Sequence, residues 1–265
     1  MDNSHTRPER LATVEEQLKR MTRRSFAVGI GGAAAGLLGW NWLRTREKED
    51  GVPWPFRRML QFNERVSGAL FKDTRLAPTF AAALADEPRV NGHVGLGDGF
   101  RADQWQLRVK GTKGREKLLS LADIQALPKV EMITELKCIE GWSNVVKWTG
   151  ARLFDLATRY GFGTRNGEPF DANRRENWVD YVRMATPDED YYVGLDIASA
   201  LHPQTLLCYA MNDESLTAGH GAPLRLAIPV KYGIKNIKRI GTLEFTDRRP
   251  ADYWAERGYD WYAGH

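Results

Sequence analysis
Ser25 to Leu43 is a run of nineteen residues without a charge, bounded by Arg23-Arg24 before it and Arg44 after it. As a helix rising about 1.5 Å per residue it measures roughly 28 Å, close to the apolar thickness of a bilayer. Beyond this run the pattern breaks into short segments. Gln104 to Val109 alternates with period two and predicts a half-buried strand ended by Gly111. Ser120 caps a helix over Leu121 to Ala126, stopped by Pro128. Val130 to Ile139, Trp178 to Met184, Thr205 to Met211 and Leu224 to Val230 read as strands. Ala151 to Tyr160, entered through Thr149 or Gly150, and Ile197 to Leu201 read as helices, while Phe56 to Val66 and Pro78 to Ala85 fit short helices or loops. Short strands mixed with short helices, without the regular spacing of strand-helix-strand units, predict an α+β fold with an N-terminal apolar helix.

The apolar run is only moderately hydrophobic. Gly29, Gly31, Gly32, Gly36 and Gly39 dilute it, and Thr22-Arg23-Arg24-Ser25-Phe26 stands at its start, a combination that reads as a twin-arginine export signal. The competing reading is a buried glycine-rich helix, which interior glycines disfavour by about 1 kcal/mol each. Ala33-Ala34-Ala35-Gly36 falls inside the run, whereas a cleavage site belongs after it. The end of the run instead places Trp40 and Trp42 beside Arg44 and Arg46, the makeup of an interfacial belt. The chain is therefore expected to divide into a cytoplasmic n-region (1–24), a signal or uncleaved membrane anchor (25–43), a charged linker (44–55) and one domain (56–265) on the periplasmic side of the inner membrane.

Charge adds one local feature. The 265 residues carry 38 Lys/Arg against 34 Asp/Glu, an excess too small for a typical nucleic-acid binder. Ala218 to Leu243 contains no acid, yet holds Arg225, Lys231, Lys235, Lys238 and Arg239. Taken alone, such a run is most simply a solvated face. The two cysteines exclude a disulfide framework, a four-cysteine zinc site and an iron–sulfur cluster, so redox chemistry needs a cofactor held by few protein ligands. Cys208 lies in the apolar run Leu206-Leu207-Cys208-Tyr209-Ala210 and reads as a small buried hydrophobe. Cys138 ends a strand and opens a turn rich in hydrogen-bonding groups. Position alone leaves it open between a structural role and a thiolate presented to a ligand or metal.

Glu135-Leu136-Lys137-Cys138-Ile139-Glu140-Gly141-Trp142-Ser143, followed by Trp148-Thr149-Gly150 and Leu153, resembles the molybdenum-ligand segment of the sulfite oxidase family. The Glu-Gly-Trp-Ser version after the cysteine is similar to the bacterial periplasmic branch that includes a methionine sulfoxide reductase catalytic subunit. Arg89-Val90-Asn91-Gly92-His93 resembles an early turn of the family, and Tyr209-Ala210-Met211-Asn212, Gly219-His220-Gly221-Ala222-Pro223-Leu224-Arg225 and Lys231 to Lys238 resemble its pterin-binding stretch. Asp252 to Tyr262 also looks like that branch. The resemblance covers about residue 88 to the C-terminus.

It implies a sulfite-oxidase-type domain binding Mo-molybdopterin, one pterin per molybdenum, with Cys138 as metal ligand and catalytic residue. Arg225 and Lys238 are implied as phosphate partners, with backbone donors near Asn236 and Ile237. Asn91 and His220 are implied pterin contacts, and His93 and Thr186 are further transfers from less similar surroundings. The implied reaction is oxygen-atom transfer at a sulfur-containing or related small substrate, with reduction favoured by the Glu-Gly-Trp-Ser version. The alternatives are a sulfite dehydrogenase and a non-catalytic, membrane-tethered binding module. Because no haem domain precedes residue 88 and the family's dimerisation domain is not expected after Lys238, electrons would pass to or from a separate protein, such as a membrane haem subunit or periplasmic cytochrome, and the catalytic unit would be monomeric.

Overall fold
The nineteen-residue run lies inside one long helix, α1 (Arg7–Arg44). In this computed structural model the backbone is described for residues 7–265 and the side chains for residues 19–265. Residues 1–6 of the expected n-region lie outside the described residues. Lys19–Arg44 is long and apolar enough to cross a membrane by length and composition. A Cβ placed on any of its five glycines meets nothing within 4 Å. After α1 a two-residue hairpin, β1 (Lys48–Glu49) and β2 (Val52–Pro53), turns at Asp50-Gly51, where both residues have positive φ. Trp42 and Trp54 meet edge to face with centroids 6.3 Å apart. The chain divides into two units between residues 56 and 57.

A helix, α2 (Trp54–Leu70), extends beyond the predicted Phe56–Val66 at both ends. Residues 57–265 then build two five-stranded sheets. The strands are β3 (Leu107–Lys110), β4 (Glu116–Leu119), β5 (Lys129–Lys137), β6 (Ser143–Arg152), β7 (Tyr181–Ala185), β8 (Tyr192–Asp196), β9 (Leu206–Met211), β10 (Glu214–Ser215), β11 (Arg225–Ala227) and β12 (Thr242–Thr246). Between them lie α3 (Leu121–Gln125), α4 (Leu153–Tyr160) and α5 (Ile197–Ala200). One sheet runs β10-β9-β6-β5, with β11 also on β9; the other runs β4-β3-β12-β7-β8 and is antiparallel except where β12 meets β3. This is the α+β arrangement the pattern predicts. One apolar cluster draws on both sheets and on α3 and α4, including Leu107, Ile124, Leu156, Met184, Leu226 and Phe245. A second, around Trp148, Cys208 and Met211, packs on the other face of β6 and β9. Cys208 is fully buried there, and burial pushes its thiol up to about 12.

Several boundaries move for local reasons. The helix expected from Ala151 starts at Leu153, because Thr149 to Arg152 continue β6 and pair with β9. Gly150 permits this, since a Cβ there would lie 2.3 Å from the Leu207 carbonyl oxygen, at the register shift between the two strands. The strand expected from Gln104 starts at Leu107, after a 3₁₀ turn over Ala102–Gln104. Leu224 to Val230 shortens to β11, as Pro229 lacks the N–H a ladder needs. Ser120 caps α3 as predicted, its hydroxyl accepting from the Asp123 N–H while the Asp123 carboxylate accepts from the Ser120 N–H.

Candidate functional site
β5 and β6 form a long hairpin whose last rung pairs Lys137 with Ser143, and the five residues between them carry Cys138. The Cys138 N–H donates to the Trp142 carbonyl at 2.9 Å and the Gly141 N–H to the Cys138 carbonyl at 3.1 Å. Gly141, with φ of +89°, makes the turn possible. The thiol is thus held at the end of a rigid ladder, half-buried in a cleft of about 360 Å³. Burial and the nearby Glu140 carboxylate raise its pKa above the ordinary cysteine value, against backbone donors that lower it. A thiol enzyme would need the opposite shift. A metal ligand does not, because coordination itself displaces the proton. Among the described residues no three His, Cys, Asp or Glu side chains converge on a metal position.

The same cleft collects Asn91, Arg225, Asn236 and Lys238. Arg225 is 3% exposed, stacked over Trp148 with its guanidinium carbon 5.0 Å from the ring centroid. Its Nη1 donates to the His220 carbonyl at 3.1 Å and faces the Met211 sulfur at 3.7 Å, while its buried Nε has no hydrogen-bond partner. No carboxylate pairs with it among the described residues. Burial pulls its pKa down to about 10, so it stays charged at neutral pH. Lys238 spends its ammonium on three carbonyls: Asn91 at 2.5 Å, Gly219 at 2.8 Å and Gly92 at 3.3 Å. Burial, then the Arg225 charge, lowers it to about 8. His220 is held neutral by burial and by the same two cations, and its Nδ1 is buried without a partner. Two cations of this cleft, without a counter-charge among the described residues, fit an anionic ligand such as a pterin phosphate. Gly221, φ +93°, lets this segment approach Lys238, where a Cβ would come within 2.6 Å of the lysine Cβ.

The other expected residues are differently placed, and His220 itself is not among the residues lining the cleft. Asn236 lines the cleft, but its side chain braces its own loop, accepting from Ile228 N–H at 2.9 Å and donating to Tyr232 O at 3.2 Å. The backbone N–H groups of Asn236 and Ile237, expected as free donors, already donate to Gly233 and Lys235 carbonyls. Ile237 is fully buried in the core. His93 is exposed and outside the cleft lining, and Thr186 is buried in the turn after β7, where its hydroxyl bonds Asp188 and Tyr191. Thr186 also underlies the loop of His93: a Cβ on Gly95 would lie 2.5 Å from its methyl group.

The acid-free run separates into two kinds of cation. Lys231 and Lys235 are buried against Asp196 and Asp252, at 3.2 and 2.5 Å, and play no part in the anion site. The rim comes from residues given no role by sequence. Arg89 lies over the Trp142 ring at 4.8 Å, Glu140 accepts from Trp142 Nε1 at 2.9 Å and Asn91 Nδ2 at 3.3 Å, and Tyr191, Trp254 and Tyr259 complete the wall. Glu140, Trp142, Trp254 and Tyr259 belong to segments with a family resemblance; Tyr191, fixed by its hydroxyl to the Ile234 carbonyl, has no sequence signal.

Cys138 on a hairpin tip shares one cleft with Arg225 and Lys238 in an α+β domain, an arrangement suited to an anionic cofactor. Residues 93–254 match the oxidoreductase molybdopterin binding domain, and the chain belongs to that family. The YedZ1 protein of Azospira oryzae, named as a protein-methionine-sulfoxide reductase subunit, is 34% identical over 78% of this chain and 74% of its own length. The protein-methionine-sulfoxide reductase catalytic subunit MsrP of Campylobacter jejuni is 32% identical over 64% of this chain and 59% of its own. The MsrP of Xanthomonas campestris is 33% identical over 58% and 49%. The chain thus spans about half to three quarters of these relatives. Among solved structures, the sulfane dehydrogenase SoxCD of Paracoccus pantotrophus gives a TM-score of 0.47 at 14% identity, over 66% of this chain and 49% of that one.

Proposed function
We propose that this chain is a molybdenum-molybdopterin oxidoreductase that transfers an oxygen atom at a sulfur centre, most naturally a sulfoxide. The observation that carries it is Arg225, buried and without a carboxylate partner among the described residues, beside Lys238 and in the same cleft as Cys138. A domain without an anionic cofactor has no physical use for that charge, which speaks against the non-catalytic module.

Cys138 would hold the molybdenum, a soft donor for a metal that changes oxidation state. Arg225 and the charge of Lys238 would hold the phosphate, with His220 Nδ1 and Asn91 as hydrogen-bonding groups. When bound, the cofactor supplies the two-electron oxygen-transfer chemistry. The protein orients it and shapes access: Trp142, Trp254 and Tyr259 present an aromatic rim suited to an apolar thioether or sulfoxide chain. The relatives named as methionine sulfoxide reductases support reduction over sulfite oxidation. Electrons would come from a separate redox protein, with the chain carried to the periplasmic side by its twin-arginine segment and held by Lys19–Arg44.

The test is metal and pterin analysis of protein made in a host that inserts the cofactor. About one molybdenum and one pterin per chain are expected; protein devoid of both refutes the reading. Assays with sulfite and with free and peptide-bound methionine sulfoxide then decide substrate and direction.

A further inference from the structure
Among the described residues α2 is anchored to the domain through the side that carries Arg57 and Glu64. Arg57, buried, donates to the Ala255 and Tyr259 carbonyls at 2.7 and 3.1 Å, and Glu64 meets Arg249 through two bonds of 2.7 and 2.8 Å. On the opposite side Met59, Phe62, Val66 and Leu70 are 58, 54, 41 and 70% exposed. At helical spacing these four fall within about 80° of arc. Ala69 widens the arc by about 20° on one side, and Arg58 and Arg65, seven positions apart, border it there. A surface helix ordinarily buries its apolar stripe and wets its charges, whereas α2 binds the domain through charged residues and turns its apolar stripe to water.

The sequence supplies the occupant. The nine residues 45–53 between α1 and α2 reach at most about 30 Å, so α2 cannot leave the neighbourhood of the bilayer that accepts Lys19–Arg44. An in-plane helix has this composition, with large apolar side chains entering about 5–10 Å below the headgroups and basic residues along its border. A second copy of the chain fits less well, because one helical stripe is small beside the roughly 20–30 residues a side of a stable interface.

We propose that α2 is an interfacial membrane helix whose stripe Met59, Phe62, Val66 and Leu70 lies in the outer-leaflet headgroup region and docks the domain on the lipid surface. This rests on the reading of Lys19–Arg44 as a span. The domain is then held at the membrane by two attachments, one transmembrane and one in the plane.

The experiment uses full-length holoenzyme in vesicles of phosphatidylethanolamine and phosphatidylglycerol, with a benzophenone amino acid placed in turn at Phe62, at Ile30 in α1 and at the exposed Leu118 of β4. Lipid adducts at 30 and 62 but not at 118 are the expected result. Adducts at 30 without adducts at 62 overturn the interfacial helix while leaving the span intact. No adduct at either position removes the span reading and this proposal together. Adducts from 62 to protein assign the stripe to a protein partner and overturn the proposal. In parallel, a protease site is inserted in the 45–53 connection. After cleavage the domain should stay on the vesicles, and Met59→Asp with Phe62→Asp should lower its bound-to-free ratio about tenfold or more. Activity in detergent should be unchanged by these substitutions. Release of the cleaved wild-type domain counts against the proposal.

Discussion
Lys235 and Arg225 are both buried, yet Lys235 holds Asp252 at 2.5 Å while Arg225 meets a carbonyl, a thioether and an indole ring. Breaking a buried pair leaves an unmatched charge, so Lys235→Met should destabilise the fold by about 3–5 kcal/mol, read by chemical denaturation. Arg225→Met removes a charge that has no counter-charge. In cofactor-free protein it should leave stability unchanged or raised, while loaded protein loses pterin. A stability loss comparable to that of Lys235→Met in the cofactor-free form would mark Arg225 as structural. Cys138→Ser should retain the fold by circular dichroism and lose molybdenum and oxygen transfer together. Sequence could locate these five cations in one stretch but could not divide them, because Asp196 and Asp252, which claim two of them, lie outside it.

At the level of elements, the local pattern marks β5 and the turn that carries Cys138 but not its partner strand β6, whose polar and glycine-containing sequence gains its strand identity from pairing with β5 and β9. On the opposite wall Trp254 and Tyr259 lie in a segment that carries the family resemblance, whereas Tyr191 reaches the cleft from a distant loop with no sequence signal to announce it. β4, β8 and β12 also escaped notice; they are short strands whose identity depends on pairing partners, in the case of β12 far along the chain. The hairpin depends on close packing against β9. Gly150→Ala should therefore cost about 1–3 kcal/mol, as the Leu207 carbonyl is backbone and cannot yield freely. Ser120→Ala, which removes the α3 cap, should cost about 1 kcal/mol and leave cofactor content intact. Thermal melts with metal analysis separate the two.

Across the whole molecule, pH should reveal whether the anion site is filled. In cofactor-free protein Lys238 titrates near 8 against an ordinary 10.5. Between those values the unfolded chain binds a proton that the folded chain has released, so this residue makes stability rise with pH over that window. A bound phosphate restores the proton and flattens the slope. The comparison is wild type against Lys238→Met, cofactor-free and loaded, in denaturant titrations from about pH 7 to 10. A slope difference that persists unchanged in loaded protein would show that no anion is near Lys238.

Lys238 also fixes an order of events. Its ammonium latches a loop made 147 residues earlier in synthesis, and Tyr259 closes the cleft only when translation has passed that point. The receptacle does not exist on a growing chain. A cofactor held there would be loaded only on a released and fully folded polypeptide, and prematurely terminated products should leave the ribosome unable to compete for the cofactor supply.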